Sequence, residues 1–212
     1  MERNVNLNVI TLGDIAVGKT SIIKRIKDGS FDENYKATIG SNFFFIKRKY
    51  QLKNIIITLN FQDTGGQEQF QSIIPLQYIR NCHIVLLVFA DLKSFESLKN
   101  RWYKFYKKNC NIKNSRFILV GNKSDIFGEE REEIIKKGDE FAQEIDSLFM
   151  TCSAKNKDNM DNLDRYITQE ARRFIDDEEK KPKNKSIKYK LNDDDSSLTN
   201  DNSGSHNKKK CC

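Results

Sequence analysis

Eight residues near the amino terminus combine glycine, lysine and threonine at a spacing suited to holding phosphate. The segment Gly13-Asp14-Ile15-Ala16-Val17-Gly18-Lys19-Thr20 fits G-x-x-x-x-G-K-[S/T] and directly follows a strand-like apolar run from Val5 to Leu12. The glycines let the backbone wrap a diphosphate, so that peptide N–H groups and the start of the next helix face its negative charge. Lys19 adds a positive charge between the outer phosphates, and Thr20 offers a hydroxyl to Mg²⁺. The predicted nucleotide contacts of this segment are Asp14, Ile15, Ala16, Val17, Gly18, Lys19, Thr20 and Ser21.

A phosphate loop alone leaves the base open, because adenylate kinases, ATPases and GTPases all use one. The segment Gly121-Asn122-Lys123-Ser124-Asp125 follows the apolar run from Phe117 to Val120 and matches N-K-x-D. The Asp125 carboxylate can accept hydrogen bonds from guanine N1–H and the 2-amino group, whereas adenine offers no donor there and would leave a desolvated charge unpaired. Sites built in this way reject the wrong partner by roughly 10⁴-fold or more. The sequence therefore predicts guanine rather than adenine.

Further contacts to the base are expected from the neighbouring loops. Asn122 is expected to contact the other polar edge of the base or to tie loops together, and the Lys123 stem to cover the ring. Ser153-Ala154-Lys155, after the last apolar run, supplies a backbone N–H for guanine O6.

The segment Asp63-Thr64-Gly65-Gly66-Gln67-Glu68 ends the third apolar run. Asp63 is expected to hold the Mg²⁺ shell through water, the Gly66 N–H to reach the γ-phosphate, and Gln67 to orient the attacking water. Thr38 offers a second protein ligand to Mg²⁺ when the γ-phosphate is present. The alternative is a plain Gly-Gly turn bounded by solvated polar groups.

Short apolar runs alternate with helical patterns along the chain. This order predicts an α/β fold of one domain, a mostly parallel six-stranded sheet with helices on both faces. The predicted strands are Val5 to Leu12, Ile55 to Phe61, Ile84 to Phe89, Phe117 to Val120, Leu148 to Thr151 and an antiparallel edge strand, Phe43 to Lys49. The span Glu129 to Ile145 is predicted to be a helix although Gly138 lies inside it.

Composition excludes several other classes of protein. The net charge is +7, from 37 basic and 30 acidic residues, but basic side chains are scattered among acids without a basic stripe, so no nucleic-acid role is expected. Cys82, Cys110 and Cys152 stand apart without C-x-x-C spacing, which favours free buried thiols over zinc or disulfides. Nowhere do 18 uncharged apolar residues follow one another, so any membrane contact has to come by another route.

Together these motifs resemble the Ras superfamily, and within it the Rab GTPases of vesicle traffic, from about Asn6 to Phe174. The resemblance implies a P-loop G domain over residues 1–176, with Phe31 stacking on guanine and residues 34–40 forming switch I. Residues 72–75 and 78–80 are similar to switch II of Golgi-type Rabs.

Three residues depart from the pattern of that family. Ile15 stands where Gly or Ser is usual beside the γ-phosphate, and a branched apolar side chain there would crowd Gln67 or an incoming arginine finger. Gly65 stands where alanine is usual, so a looser switch II is expected, and Gln62 stands where tryptophan is usual, so ordinary Rab effectors are not expected to bind. The connection from Phe89 to Phe95 is about two residues short.

The last 36 residues, 177–212, are rich in Asp, Glu, Lys, Asn and Ser and poor in apolar residues, which predicts a disordered tether. Its end, Cys211-Cys212, resembles the Rab signal for double geranylgeranylation, and two lipids give durable attachment where one gives reversible binding. The resemblance implies the cytoplasmic face of an endomembrane, Golgi or endosome, with cycling through the cytosol. Expected partners are an exchange factor, an activating protein, effectors and a prenyl-binding chaperone.

The leading hypothesis is a membrane-anchored switch that binds GTP or GDP with Mg²⁺ and hydrolyses GTP slowly, with Gln67 and Lys19 as the catalytic residues. The alternative is a nucleotide-binding scaffold with little or no hydrolysis, in which Ile15 and the altered switch II hold one state. A phosphate-transferring kinase would require adenine binding.

Overall fold

The computed structural model describes residues 2–34, 38, 40–65, 79–110 and 115–180 of the 212-residue chain. The predicted roles of Gly66 and Gln67, the lipidation of Cys211 and Cys212, and nearly all of the predicted tether lie outside these residues.

Six strands form one sheet in the order β2-β3-β1-β4-β5-β6. Their bounds are β1 Arg3–Leu12, β2 Ser41–Tyr50, β3 Ile55–Thr64, β4 Ile84–Phe89, β5 Arg116–Gly121 and β6 Leu148–Thr151. All pairs are parallel except β2 with β3, where β2 lies antiparallel at the edge. The predicted mostly parallel sheet with an antiparallel edge strand is confirmed.

The described helices lie between and after these strands. Their bounds are α1 Lys19–Asp28, α3 Arg131–Glu144 and α4 Met160–Lys180, with α2 spanning 92–109 as an α-helical Leu92–Ser97, a π-helical Leu98–Tyr103 and an α-helical Lys104–Asn109. Gly138 lies inside α3 because the ring of Phe149 on β6 fills the space that a Cβ would need. A glycine inside a helix is about 1 kcal/mol less favourable than alanine. Here the absence of a side chain at Gly138 lets α3 approach the sheet.

The short connection after Phe89 ends in a capping box. The Asp91 carboxylate accepts a hydrogen bond from the Ser94 N–H at 2.7 Å, and the Ser94 hydroxyl accepts one from the Asp91 N–H at 3.0 Å. Reciprocal caps of this kind satisfy two backbone donors that the first helical turn leaves unpaired. Helix α2 can therefore begin with Asp91 as its N-cap, two residues after the end of β4.

Alternate residues of the central strands point to two separate cores. In β4, Ile84, Leu86 and Val88 pack on the face covered by α1 and α4, whereas Val85, Leu87 and Phe89 pack on the face covered by α2 and α3. Because both faces of a parallel sheet are covered, its strands are apolar throughout rather than alternating in polarity. The predicted helices on both faces are confirmed.

The last helix continues past the predicted boundary at residue 176. Asp177 pairs with Arg116 at the start of β5, and Glu179 pairs with Arg3 and Lys53 at 2.7 and 2.6 Å. These side chains are largely exposed, so each pair alone contributes little, but together they hold the last helical turn against the start of the sheet. The prediction that the tether begins at residue 177 is wrong by four residues. The acidic composition of residues 177–180 suggests a solvated segment, but in the fold Arg3, Lys53 and Arg116 pair with these acids.

Among the described helices, none has the length and apolar content needed to cross a bilayer. Cys82 and Cys152 are buried and Cys110 is partly buried, all three as free thiols, as predicted. Burial raises the pKa of the Cys82 and Cys152 thiols to about 12, so neither forms a thiolate at neutral pH.

Candidate functional site

A cavity of about 430 Å³ opens at the end of the sheet where the parallel strands finish. Strand β1 lies between β3 and β4, so the loop after β1 sits where the strand order reverses, the usual ligand position in open α/β sheets. The predicted residues that line the cavity are Ile15, Ala16, Gly18, Lys19, Thr20, Ser21, Phe31, Thr38, Asn122, Lys123, Asp125, Ala154 and Lys155. Asp14, Val17, Asp63 and Ser153 do not line it but accept hydrogen bonds from, or donate them to, residues that do.

The loop after β1 owes its path to two glycines. Gly13 has φ 150° and Gly18 has φ 94°, and a Cβ would collide with the Val88 carbonyl at Gly13 or with the Asn122 side chain at Gly18. Only glycine adopts these angles without strain while the backbone approaches so closely. The loop is therefore held against β4 and against the loop after β5.

Lys19 lies across this loop and is 5% exposed. Its ammonium group donates hydrogen bonds to the carbonyls of Gly13 at 2.9 Å and Asp14 at 2.7 Å. Burial lowers the pKa of Lys19 to about 8, although Asp63 and Asp14 oppose the shift. A buried cation of this kind is poised to gain from an anionic ligand.

Three oxygen-bearing side chains converge beside Lys19. The Thr20 hydroxyl donates to Asp63 Oδ2 at 2.6 Å, and the Thr20 and Thr38 hydroxyl oxygens are 2.9 Å apart. Asp63 is fully buried, its Oδ1 has no hydrogen-bond partner among the described residues, and burial raises its pKa. Hard oxygen donors with a spare carboxylate oxygen suit Mg²⁺, so these residues fit the predicted cation.

The Asp14 side chain points away from the cavity into α2, a contact that sequence reasoning missed. Its Oδ1 accepts hydrogen bonds from the Ser97 hydroxyl at 2.8 Å and the Trp102 indole N–H at 2.7 Å, and it pairs with Arg101. In an α-helix, residues 97 and 102 would point about 140° apart, since each residue turns the helix by about 100°. The wider π-helical turn at Leu98–Tyr103 brings their donors to one carboxylate oxygen.

We expect Trp102→Phe to speed GDP release about tenfold. The substitution keeps a buried ring but removes the N–H that holds Asp14, and a hydrogen bond to a charged group contributes about 1.5–3 kcal/mol. Stopped-flow release of a fluorescent GDP analogue measures the rate. A variant with a lowered melting temperature and an unchanged release rate would show that the contact supports the fold only.

The loop after β5 meets both the phosphate loop and the loop after β6. Asn122 is buried, and its amide donates to the Val17 carbonyl at 2.8 Å while its Oδ1 accepts from the Ala154 N–H at 3.1 Å. The Ser153 hydroxyl donates to Asp125 Oδ1 at 2.6 Å. Of the two roles predicted for Asn122, the structure supports the tying of loops, and Ser153 fixes the carboxylate predicted to read the base.

Arg25 on α1 is a second residue that sequence reasoning missed. Its guanidinium donates to the carbonyls of Ala154 at 2.8 Å and Lys155 at 2.9 Å, and it lies 5.5 Å from the ring centre of Phe31. A basic residue on an amphipathic helix normally faces solvent, so the sequence carried no signal for this role. Arg25 therefore connects Phe31, which is predicted to stack on guanine, with the loop of Ala154 and Lys155, which is predicted to contact guanine O6.

The residues that depart from the family pattern behave differently from one another. Ile15 is 44% exposed and lines the cavity, as its predicted position beside the γ-phosphate requires. Gly65 is held rather than loose, because its N–H donates to the Gly40 carbonyl at 2.8 Å and a Cβ there would lie 2.8 Å from the Thr38 carbonyl oxygen. Gln62, which stands where tryptophan is usual, is buried opposite Phe43, which is 47% exposed. Position 62 therefore contributes little to the exposed surface.

Comparisons with known proteins agree on one family. The family model described as Ras family matches residues 8–173. The chain is 36% identical to Ras-related protein RABG3b of Arabidopsis thaliana over 174 residues, 79% of this chain and 84% of that protein. It is 36% identical to Ras-related protein Rab7 of Glycine max over 168 residues, and 35% identical to Ras-related protein Rab7 of Vigna aconitifolia over 167 residues, in each case 76% of this chain and 80% of the relative.

Proposed function

Because the chain belongs to the Rab branch of the Ras family of small GTPases, we propose that it binds GTP and GDP with Mg²⁺, hydrolyses GTP and acts as a membrane-anchored switch in vesicle traffic. One observation carries the proposal. Lys19, Thr20, Thr38 and Asp125 line one cavity, and the buried Asp63 carboxylate accepts a hydrogen bond from the Thr20 hydroxyl directly behind it.

Each end of the cavity has its own chemistry. At the phosphate end, Lys19 exchanges two carbonyl acceptors for phosphate oxygens, and charged acceptors form the stronger hydrogen bonds. At the base end, Asp125 accepts from guanine while the Ser153 hydroxyl donates one hydrogen bond to Asp125 Oδ1. The guanine preference therefore depends on a carboxylate whose direction is already set.

Mg²⁺, when bound, neutralises charge that develops on the phosphate oxygens. The residues that would hold it are Thr20 and Thr38 by their hydroxyls and Asp63 through water. Thr38 lies within switch I in the sequence pattern and Gly65 begins switch II, so contacts to the γ-phosphate bias both segments.

Hydrolysis in this proposal depends on position rather than covalent chemistry. Gln67 orients the attacking water and Lys19 neutralises charge, while an arginine from an activating protein adds about 10³ to 10⁵ in rate. The exposed Ile15 side chain at the cavity limits the space for both Gln67 and that arginine, so slow intrinsic turnover is proposed.

Single-turnover GTP hydrolysis by the purified chain tests the proposal, with Ile15→Gly and Gln67→Leu measured beside it. We expect slow hydrolysis that Gln67→Leu abolishes and that Ile15→Gly, by relieving the crowding, raises by less than about tenfold. Negligible hydrolysis that Ile15→Gly raises by orders of magnitude would support the scaffold instead. GDP affinity measured on all three proteins separates lost chemistry from lost binding.

The proposed partners follow from the family. An exchange factor opens the site, an activating protein supplies the arginine, effectors read the GTP form, and a chaperone carries the prenylated chain. The proposed anchor is double geranylgeranylation of Cys211 and Cys212, at the cytoplasmic face of a Golgi or endosomal membrane, with cycling through the cytosol. Mass spectrometry of the intact C-terminus tests the anchor.

A further inference from the structure

The last described helix, α4, ends on the side of the sheet opposite the cavity. Helix α4 ends at Lys180, and its last turn is tied to Arg3 at the start of β1 and to Arg116 at the start of β5. The phosphate loop follows the other end of β1, ten residues away, which is about 30 Å for an extended strand. We call the surface where β1, β3, β4 and β5 begin the basal end.

The basal end presents an apolar side chain on a fixed support. Leu52 is 90% exposed, at the centre of the 3₁₀ turn Gln51–Lys53 that joins β2 to β3. The next residue, Lys53, binds Asp176 and Glu179 of α4 at 2.6 Å each, and the Arg3 N–H donates to the Asn54 carbonyl at 3.1 Å. The turn is therefore held against the helix from which the tail emerges.

The basal end also carries cations that have no ion-pair partner among the described residues. The C-terminal part of α2 lies here, because Tyr106 meets Ser115 at 2.7 Å and Ser115 donates to the Cys82 carbonyl just before β4. Lys107 and Lys108 project from this part and are exposed, and within the described ranges neither has a carboxylate within ion-pair distance.

Four acids of the basal end are engaged in ion pairs instead. Asp176 and Glu179 bind Lys53, Asp177 binds Arg116, and Glu2 binds Lys49 at 3.1 Å. Salt bridges of this kind are weak in energy, but they cancel the negative charge that would repel an anionic surface.

We propose that the basal end is a lipid-facing surface that rests on an anionic bilayer, with Leu52 entering the headgroup layer and Lys107 and Lys108 contacting lipid phosphates. The proposal rests on the membrane anchoring proposed above and adds the orientation of the domain. An exposed leucine alone is ordinary, but a leucine and unpaired lysines at one end are the chemistry by which peripheral proteins lie on anionic leaflets.

A bilayer suits this surface better than a protein partner for two reasons. Residues 181–212 follow Lys180 in the sequence, carry eight lysines against four aspartates and end in the proposed lipidation site. A lipidated tether raises the effective concentration of the domain near the leaflet, so a contact that is weak in the unlipidated chain is sufficient in the anchored one. Each lysine near an anionic leaflet adds attraction that falls off within the Debye length.

The test uses the full chain, loaded with GDP and not lipidated, sedimented with vesicles of phosphatidylcholine alone or with phosphatidylserine added. The double variant Lys107→Glu with Lys108→Glu is compared with Lys93→Glu with Lys136→Glu, which changes net charge equally at exposed sites away from the basal end. We expect the first pair to weaken binding to phosphatidylserine vesicles by about tenfold or more and the second pair by much less. Equal loss from both pairs would overturn the proposal in favour of attraction by net charge alone.

Leu52 is tested on the geranylgeranylated chain. Leu52→Trp adds a fluorophore at the basal end, and Trp102, which is buried, gives the background in the parent protein. On membrane binding, we expect the emission of the tryptophan introduced at position 52 to shift to shorter wavelength and to be quenched by lipids brominated near the headgroups. Emission that stays typical of water on bound protein would show that the end faces solvent or a protein partner. GDP binding of each variant is measured in parallel, so that failure of the switch proposal is recognised separately.

Discussion

Asp125→Ala is expected to weaken GDP binding about 10³-fold and to remove the preference for GDP over ADP. The wild-type carboxylate offers two acceptors to guanine N1–H and N2–H, and a hydrogen bond to a charged group contributes about 1.5–3 kcal/mol. Two such bonds correspond to roughly 10²- to 10⁴-fold in affinity. Equilibrium titration with fluorescent GDP and ADP analogues measures both affinities.

Two matched variants show where the effect originates. Ser153→Ala removes the hydroxyl that holds Asp125 at 2.6 Å, so we expect a loss of about tenfold with guanine still preferred. Asp139→Ala removes an exposed carboxylate on α3, distant from the cavity, and is expected to change neither affinity. A GDP preference that survives in Asp125→Ala would refute guanine recognition by this residue, and with it the assignment of the base end of the cavity.

Lys19→Met is expected to cost about 10²- to 10⁴-fold in affinity for GDP and GTP alike. Methionine keeps much of the side-chain volume but removes the charge from a position that is 5% exposed, where electrostatic interactions are strong. Replacing a partner of a buried charge typically costs 3–5 kcal/mol. Isothermal titration measures the loss, and Lys136→Met on the surface of α3 serves as the control.

The pH dependence of binding gives Lys19 a second, independent signature. Burial lowers the pKa of Lys19 to about 8 in the nucleotide-free protein, and phosphate beside it favours the charged form and raises that pKa. Below pH 8 the ammonium group is charged in both states and binding moves no proton. Above pH 8 the free protein has lost the proton that the complex keeps, so GDP affinity falls as pH rises and binding takes up a proton.

Titrations between pH 7 and 9.5 in buffers of different ionisation enthalpy measure that proton. Lys19→Met is expected to show a smaller decline above pH 8, because only the remaining groups titrate. Identical pH profiles for the two proteins would mean that Lys19 does not sense the phosphates.

The sequence predicted the sheet well because each strand carries its own signal. β4 and β6 begin and end as predicted. β2 and β3 extend beyond their apolar cores, to Ser41 and Thr64, because the antiparallel ladder pairs polar residues such as Asn42 with Asp63. Pairing of that kind depends on the partner strand, which periodicity along one strand does not register.

Side-chain contacts between distant segments were the part that sequence could not predict. The motif identified Asp14 as a loop residue, yet its carboxylate binds Trp102 and Arg101, which follow 88 and 87 positions later, through a π-helical turn without a recognisable pattern. Residues 177–180 were predicted to belong to the tether, because their acidic sequence does not reveal that Lys53 and Arg116 lie beside them in the fold. The cavity nevertheless collects most of the predicted contacts, since motif residues are placed by the strand ends they follow.

Gly65 joins two segments that the nucleotide is proposed to control. Its N–H extends the β2–β3 ladder by one hydrogen bond to Gly40, and the space that an alanine methyl would fill is closed by the Thr38 carbonyl. Force applied to either segment is therefore transmitted to the other through backbone atoms, without a side chain between them. A partner that displaces Gly65 breaks its hydrogen bond to Gly40 and removes a backbone contact of the segment that carries Thr38.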